Sequence, residues 1–188
     1  MKSQRKRRRP PPPLDENRLK ELALAYVGRF ATSRAKLRSY LARKVRERGW
    51  EGAAEPDLAR LAERFATQGY IDDAGYALAQ ARSLSSRGYG KRRLDQKLRT
   101  AGIEEEDGTA AREHSEQEAL AAALRFAERR RIGPFAGAPP DLKDREKALA
   151  AMVRAGHSFG LARALVDLPP GAPIDPDELA EHARLTII

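Results

Sequence analysis

Five cations, Lys91, Arg92, Arg93, Lys97 and Arg99, crowd the short segment KRRLDQKLRT, in which Asp95 is the one acid. Side chains of this kind at this density hold anions: the arginine fork matches pairs of phosphate or carboxylate oxygens, and lysine adds a compact point charge. The segment RAKLRSYLARKVRER at 34–48 repeats the pattern, with Glu47 as its one acid. On a helical wheel that turns Leu37, Leu41 and Val45 inward, Lys36, Arg43 and Arg46 fall on the opposite side. The same construction on the later segment turns Leu94 and Leu98 inward and Arg92, Arg93, Gln96 and Arg99 outward, with Lys91 opening the helix. One charged helical face is ordinarily the solvated side. Two of them at corresponding positions, with little acid to compensate, form a candidate surface for a polyanionic partner.

Other chemistries find fewer residues. Asp72 and Asp73 are a tight acidic pair beside Tyr70 and Tyr76, but a hard-cation site needs more converging oxygens, and adjacent carboxylates at a helix start serve the free amides there. His114, His157 and His182 are far apart and lack a second ligand at helical spacing, which leaves surface or capping roles rather than metal binding or general-base work. The glycines of GYGKRR do not make a phosphate loop, although a helix N-terminus there could hold a phosphate. Trp50, Tyr70 and Tyr89 each follow a glycine at a helix boundary, where packing over the boundary competes with stacking on bases. Without cysteine there is no thiol nucleophile and no Cys-ligated zinc site, in keeping with a reducing, cytoplasmic compartment. No catalytic set emerges, so the chain reads as a non-enzymatic binder without a cofactor or metal.

The whole composition supports that reading. The net charge is +9, and it is segregated: residues 1–50 hold 16 Lys and Arg against 4 Asp and Glu, 81–103 hold 7 against 1, and 104–118 hold 1 against 7. Such an excess favours nucleic acid, an acidic protein surface or an anionic membrane as partner. No apolar run approaches the roughly 20 residues of a membrane span, and MKSQRKRRRPPPP lacks the apolar stretch of a secretory signal.

The elements that must carry these side chains are helical throughout. Residues 1–14 form a basic, proline-rich arm expected to be disordered. From Asp15, the spacing of Leu19, Leu22, Ala23, Tyr26 and Phe30 marks one helical face. Ser33 caps a second helix that ends before Gly49, and Pro56 opens a third with Leu58, Leu61, Ala62 and Phe65 inward, ending at Gly69. Three such helices cover one another's apolar stripes, giving a first unit at 15–70. The pattern recurs. A second unit at 71–132 uses helices at 72–87 and 90–100 and one longer segment that ends near Arg131. A divergent third unit at 133–168 has Leu149, Met152 and Val153 inward, and HSFGLARALVDL at 157–168 echoes RGYGKRRLDQKL at 87–98. A tail at 169–188 follows, with a last short helix over 177–185. No alternating run is long enough for a strand, so the fold class is all-α, in tandem three-helix repeats.

The stretch GYIDDAGYALAQARSLSSRGYGKRRLDQKLRTAGI, Gly69 to Ile103, is similar to the hallmark region of the RecX family of bacterial recombinase regulators. Leu37 and Leu41 in the first unit and HSFGLARAL in the last add matches, so that the resemblance spans about Leu19 to Leu168. It implies an elongated, curved body of three-helix repeats, acting as a monomer in the groove of the RecA nucleoprotein filament. There it would inhibit ATP hydrolysis, strand exchange and coprotease activity in homologous recombination and the SOS response. It also implies contact with DNA, single-stranded and double-stranded, and it supplies no catalytic residue. The weakly basic third unit, with Arg154 and Arg163, and the insertion at Gly133 to Pro140 depart from the pattern. The residues themselves leave an alternative open, a helix-turn-helix-like pair at 72–100 acting on naked DNA.

Overall fold

The computed structural model describes residues 12–179, which are helical apart from their connections. They divide into two compact units, one up to Asp72 and one from Asp73.

The first unit is a bundle of α1 (Glu16–Val27), α2 (Arg34–Arg48) and α3 (Leu58–Thr67). Each start is fixed by a side-chain cap: Asp15 accepts from the Arg18 amide at 2.8 Å, Ser33 Oγ from the Lys36 amide at 3.2 Å, and Asp57 from the Arg60 amide at 2.8 Å. These bonds satisfy amides that have no partner within their own helix. Pro56 therefore lies outside α3 rather than at its first position, because the carboxylate of Asp57 can take an orphan amide and a proline ring cannot. The core joins Leu19 and Ala23 of α1, Leu37 and Leu41 of α2, Leu61, Ala62 and Phe65 of α3, and Ile71. Tyr26 stacks on Tyr40 with ring centroids 4.2 Å apart. Phe30, expected on the α1 stripe, is 52% exposed, since α1 stops at Val27 and the following turn carries it off the face.

Leu14 corrects the expected extent of the arm. Its side chain is fully buried in this core, and its backbone is clamped between Gly49 and Glu51 by hydrogen bonds of 2.9 Å each. The Arg48 guanidinium donates twice to the Pro12 carbonyl and Arg18 once to that of Pro13. Ordering of the chain thus begins before residue 15. Residues 1–11 lie outside the described residues.

The second unit contains α4 (Asp73–Ser86), α5 (Lys91–Ala101), α6 (Thr109–Gln117), α7 (Ala119–Arg130), a 3-10 turn at Gly133–Phe135, α8 (Leu142–Arg154) and α9 (Phe159–Asp167). It has two cores. Tyr76, Ala77, Ala81, Leu84, Leu94, Leu98, Ala101, Ile103 and Ala111 join α4, α5 and α6. Ala123, Phe126 and Ala127 of α7 join Met152 of α8 and Leu161, Leu165 and Val166 of α9.

The longer segment expected to end near Arg131 is therefore two helices, broken at Glu118. The Glu118 carboxylate accepts from Arg125 at 2.7 Å, and Arg125 also donates to the Ser85 carbonyl at the end of α4. The break lets α6 face one core and α7 the other, so a helix that the sequence assigns to the second repeat completes the third. The third core also reaches past residue 168. Ile174 packs against it and Leu179 is 4% exposed within it, because α8 and α9 leave an apolar edge for them to cover. Of the last helix expected at 177–185, residues 176–179 are helical and the remainder lies outside the described residues.

The two cores of this unit meet backbone to backbone. The Gly90 amide donates to the Ala155 carbonyl at 3.0 Å, and the Arg92 amide to that of Gly156 at 3.2 Å. A Cβ on Gly90 would stand 2.4 Å from the Gly156 oxygen, and one on Gly88 would stand 2.9 Å from the Phe126 nitrogen. The glycines of RGYG do more than end a helix, since they let two chain segments touch where any side chain would hold them apart.

Candidate functional site

Of the cations that the wheels place outward, Arg43 and Arg46 on α2 and Arg92, Arg93 and Arg99 on α5 are exposed, each helix in its own unit. On α2, Arg43 and Arg46 are exposed opposite the buried Leu37 and Leu41, and Lys36 is half-buried. Arg43 lies 3.7 Å from Glu47 and 5.8 Å from the centre of the Tyr40 ring. Lys44 holds the same glutamate at 2.6 Å. The Glu47 carboxyl is held below its ordinary value first by the Lys44 hydrogen bond, then by the charges of Lys44, Arg43 and Arg46. The helix's one acid is thus engaged by its own neighbours, and Arg46 forms no salt bridge among the described residues.

On α5, Arg92, Arg93, Gln96, Lys97 and Arg99 are all exposed, with Leu94 and Leu98 buried behind them. Asp95 is turned aside to Arg112 at 3.4 Å, which removes the only carboxylate of the helix from the outer face. Arg92 and Arg99 make no salt bridge among the described residues. Arg93 reaches Gln96 Oε1 at 3.4 Å and lies 5.9 Å from the centre of the Tyr89 ring. Lys91 is placed differently from the rest: it is half-buried, and its ammonium is engaged by Glu116 of α6.

The N-terminus of α5 does not offer the phosphate seat that GYGKRR suggested. The Gly156 carbonyl already accepts from the Arg92 amide, and the Gly156 backbone fills the space in front of it. Nor is His157 a surface residue. It is 2% exposed, its Nε2 bonds the Gly88 carbonyl at 3.1 Å, and its ring lies 5.7 Å from that of Phe126. Burial pushes its pKa down, opposed by the bond to Gly88, so the neutral ring sits in the seam between the two cores.

The boundary aromatics divide as well. Trp50 is half-buried and donates from Nε1 to the Ala54 carbonyl at 2.7 Å, while Tyr70 is 53% exposed against Phe65. No set of three His, Asp or Glu suited to a metal ion occurs among the described residues. No helix among them is long and apolar enough to cross a membrane.

A group of cations that the wheels did not collect stands at the seam. Arg87 lies 5.5 Å from the Tyr89 ring centre, and Arg129 and Arg130 lie 5.5 and 5.8 Å from that of Phe126. Their spacing carries a signal, since Arg129 and Arg130 follow Phe126 by three and four residues on one helical face. Arg129 meets the Arg87 backbone, donating to its carbonyl at 2.7 Å across the close approach that Gly88 allows, and this could not be read from either segment alone.

Serial three-helix bundles, the first two with a cationic middle helix, define a small all-α helical-repeat class of protein. Residues 72–111 match the family model described as RecX, second three-helix domain. The regulatory protein RecX of Myxococcus xanthus is 33% identical over 163 residues, covering 81% of this chain and 86% of that relative. The RecX protein of Agrobacterium fabrum is 37% identical over 127 residues, covering 65% and 67%. The crystal structure of RecX from Lactobacillus salivarius superposes with a TM-score of 0.56 at 15% identity, covering 80% of this chain and 93% of that one, a likeness of fold. The chain belongs to the RecX family.

Proposed function

We propose that this protein is a non-enzymatic, monomeric regulator that binds the RecA nucleoprotein filament in the cytoplasm and inhibits its ATPase, strand-exchange and coprotease activities. The outer faces of α2 and α5 would make the contact, through Lys36, Arg43 and Arg46 on one and Arg92, Arg93, Gln96 and Arg99 on the other. Lys91 has the least charge to offer, since Glu116 already engages it. The observation that carries this reading is that Arg46, Arg92 and Arg99 are exposed and form no salt bridge among the described residues, on the middle helix of each of two serial bundles. Several such contacts add together when the target presents repeated sites. Relatives named as regulatory proteins across most of their length support the same assignment.

The reading of residues 72–100 as a helix-turn-helix acting on naked DNA is weaker. That motif sends the N-terminal end of its second helix into the major groove. Here the first turn of α5 is bonded to Ala155 and Gly156. The test is RecA ATPase on single-stranded DNA with substoichiometric protein, run beside the charge reversal Arg92→Glu, Arg93→Glu and Arg99→Glu. Inhibition that the reversal abolishes supports the proposal. An unaffected ATPase across a wide concentration range refutes the regulator, and full inhibition by a folded reversal variant refutes the face.

A further inference from the structure

We propose that the seam between the second and third cores carries a phosphate-binding surface for single-stranded nucleic acid, made by Arg87, Arg129 and Arg130 and continued by Arg93. The proposal rests on the reading of this chain as a binder of a nucleoprotein and adds which residues would hold the nucleic acid. Three of these four arginines lie outside the faces assigned above.

The geometry is a ladder. Arg93 and Arg87 lie over the same ring, Tyr89, at 5.9 and 5.5 Å. Arg129 Nη1 donates to the backbone carbonyl of Arg87 at 2.7 Å. Arg129 and Arg130 in turn lie over Phe126, at 5.5 and 5.8 Å. The supports of the ladder are fixed by burial: Phe126 is 4% exposed, and Tyr89 packs against both cores of the unit. A guanidinium held within about 6 Å of a ring centre is restrained by it and keeps N–H edges for a ligand.

Those edges are largely unspent. Each guanidinium has five N–H groups. Arg87 uses one on the Ser83 carbonyl at 3.2 Å, Arg129 one on Arg87, and Arg93 one on Gln96 at a long 3.4 Å. None of the four forms a salt bridge among the described residues. Arg18, Arg112, Arg125 and Arg145, by contrast, each meet a carboxylate.

A series of cations this dense calls for anions of similar density. A nucleic-acid strand supplies one at every nucleotide, with paired oxygens that fit each fork. Because the rings beneath are buried or already covered by guanidinium groups, the surface reads phosphates and not bases, and binding is indifferent to sequence.

The test is fluorescence polarisation of a labelled oligothymidylate over a range of salt, with the intact chain and the double variant Arg87→Gln, Arg130→Gln. This variant keeps the Arg129 bond to the Arg87 carbonyl, and circular dichroism checks its fold. A single-strand phosphate contact contributes about 0.7 to the slope of log affinity against log salt, so losing two lowers the slope by about 1.4 and weakens binding about twenty-fold near 0.1 M salt. The pair Lys143→Gln, Lys147→Gln removes the same charge from exposed positions of α8 and is expected to weaken binding far less. The proposal is overturned by an unchanged slope in the folded double variant, by equal weakening from the α8 pair, or by polyglutamate competing as well as the oligonucleotide. If the double variant loses DNA while the intact chain leaves RecA ATPase untouched, the surface stands and the regulator reading falls. If the variant binds DNA normally while the intact chain inhibits, the reverse holds.

Discussion

Replacing Gly90 by alanine perturbs the seam with one methyl group, and its cost can be worked from the contacts. Gly90 has φ −88°, so an alanine fits the backbone angle and the entire effect is one of space. The added Cβ would lie 2.4 Å from the Gly156 oxygen, 2.5 Å from its carbonyl carbon and 2.6 Å from the His157 nitrogen, all backbone atoms that cannot swing away. To reach ordinary contact the two segments must part by most of an ångström. That separation stretches three bonds together: Gly90 to Ala155, Arg92 to Gly156, and His157 to Gly88. At about 1 kcal/mol for each bond and 1–3 kcal/mol for overpacking, the loss is about 4–6 kcal/mol. Gly171→Ala serves as the control in the same unit. Its φ is +74° and nothing lies within 4 Å of the added Cβ, so only the left-handed backbone is strained, at about 1–2 kcal/mol. For a unit of just over 100 residues 1 kcal/mol shifts the melting temperature by about 3–6 °C, so thermal unfolding followed by circular dichroism should place Gly90→Ala at least about 12 °C below the native chain and clearly below Gly171→Ala. If Gly90→Ala melts with or above the control, the close approach of the two segments is not what holds the seam.

Two further outcomes follow from the same packing. His157 has a lowered pKa in the folded state, so its contribution is complete at pH values above the ordinary 6.5 and is lost as pH falls, when the unfolded chain takes up a proton that burial denies the folded one. Denaturant titrations at about pH 7.5 and about pH 5.5 should show a larger drop in stability for the native chain than for His157→Gln; equal drops would mean that the ring can be protonated in place. Leu98, fully buried in the core of α4, α5 and α6, should lose about 2–5 kcal/mol on change to alanine, while the exposed Leu142 at the start of α8 should lose less than about 0.5 kcal/mol, as read from urea midpoints.

Where period and burial coincide, the sequence reads directly into structure. Leu37 with Leu41 and Leu94 with Leu98 are pairs at helical spacing, each wholly buried, and fixing them inward determines which cations point out. The caps Asp15 and Ser33 are legible for a similar reason, since a short polar side chain and the amides it serves lie within one turn. What escapes such reading is set by partners distant in the chain. Glu118 breaks a helix inside the alanine-rich run that follows it because Ala111 belongs to one core and Ala123 to another, and a run of small apolar residues has no sided pattern that would reveal two faces. The segment RGYG announces a break, and the break is there, but Gly88 and Gly90 also answer to Phe126 and Gly156, which local spacing cannot supply. His157 stands isolated in sequence and is the polar link of that seam. The arginine ladder has the same origin: Arg87 and Arg129 become neighbours only because a residue without a side chain lets α7 reach the end of α4. Glycine at these positions therefore does two things at once, closing the seam between cores and bringing cations from separate helices to one edge of it. A substitution that opens the seam should accordingly weaken both stability and anion binding, whereas one that removes an arginine edge should weaken binding alone.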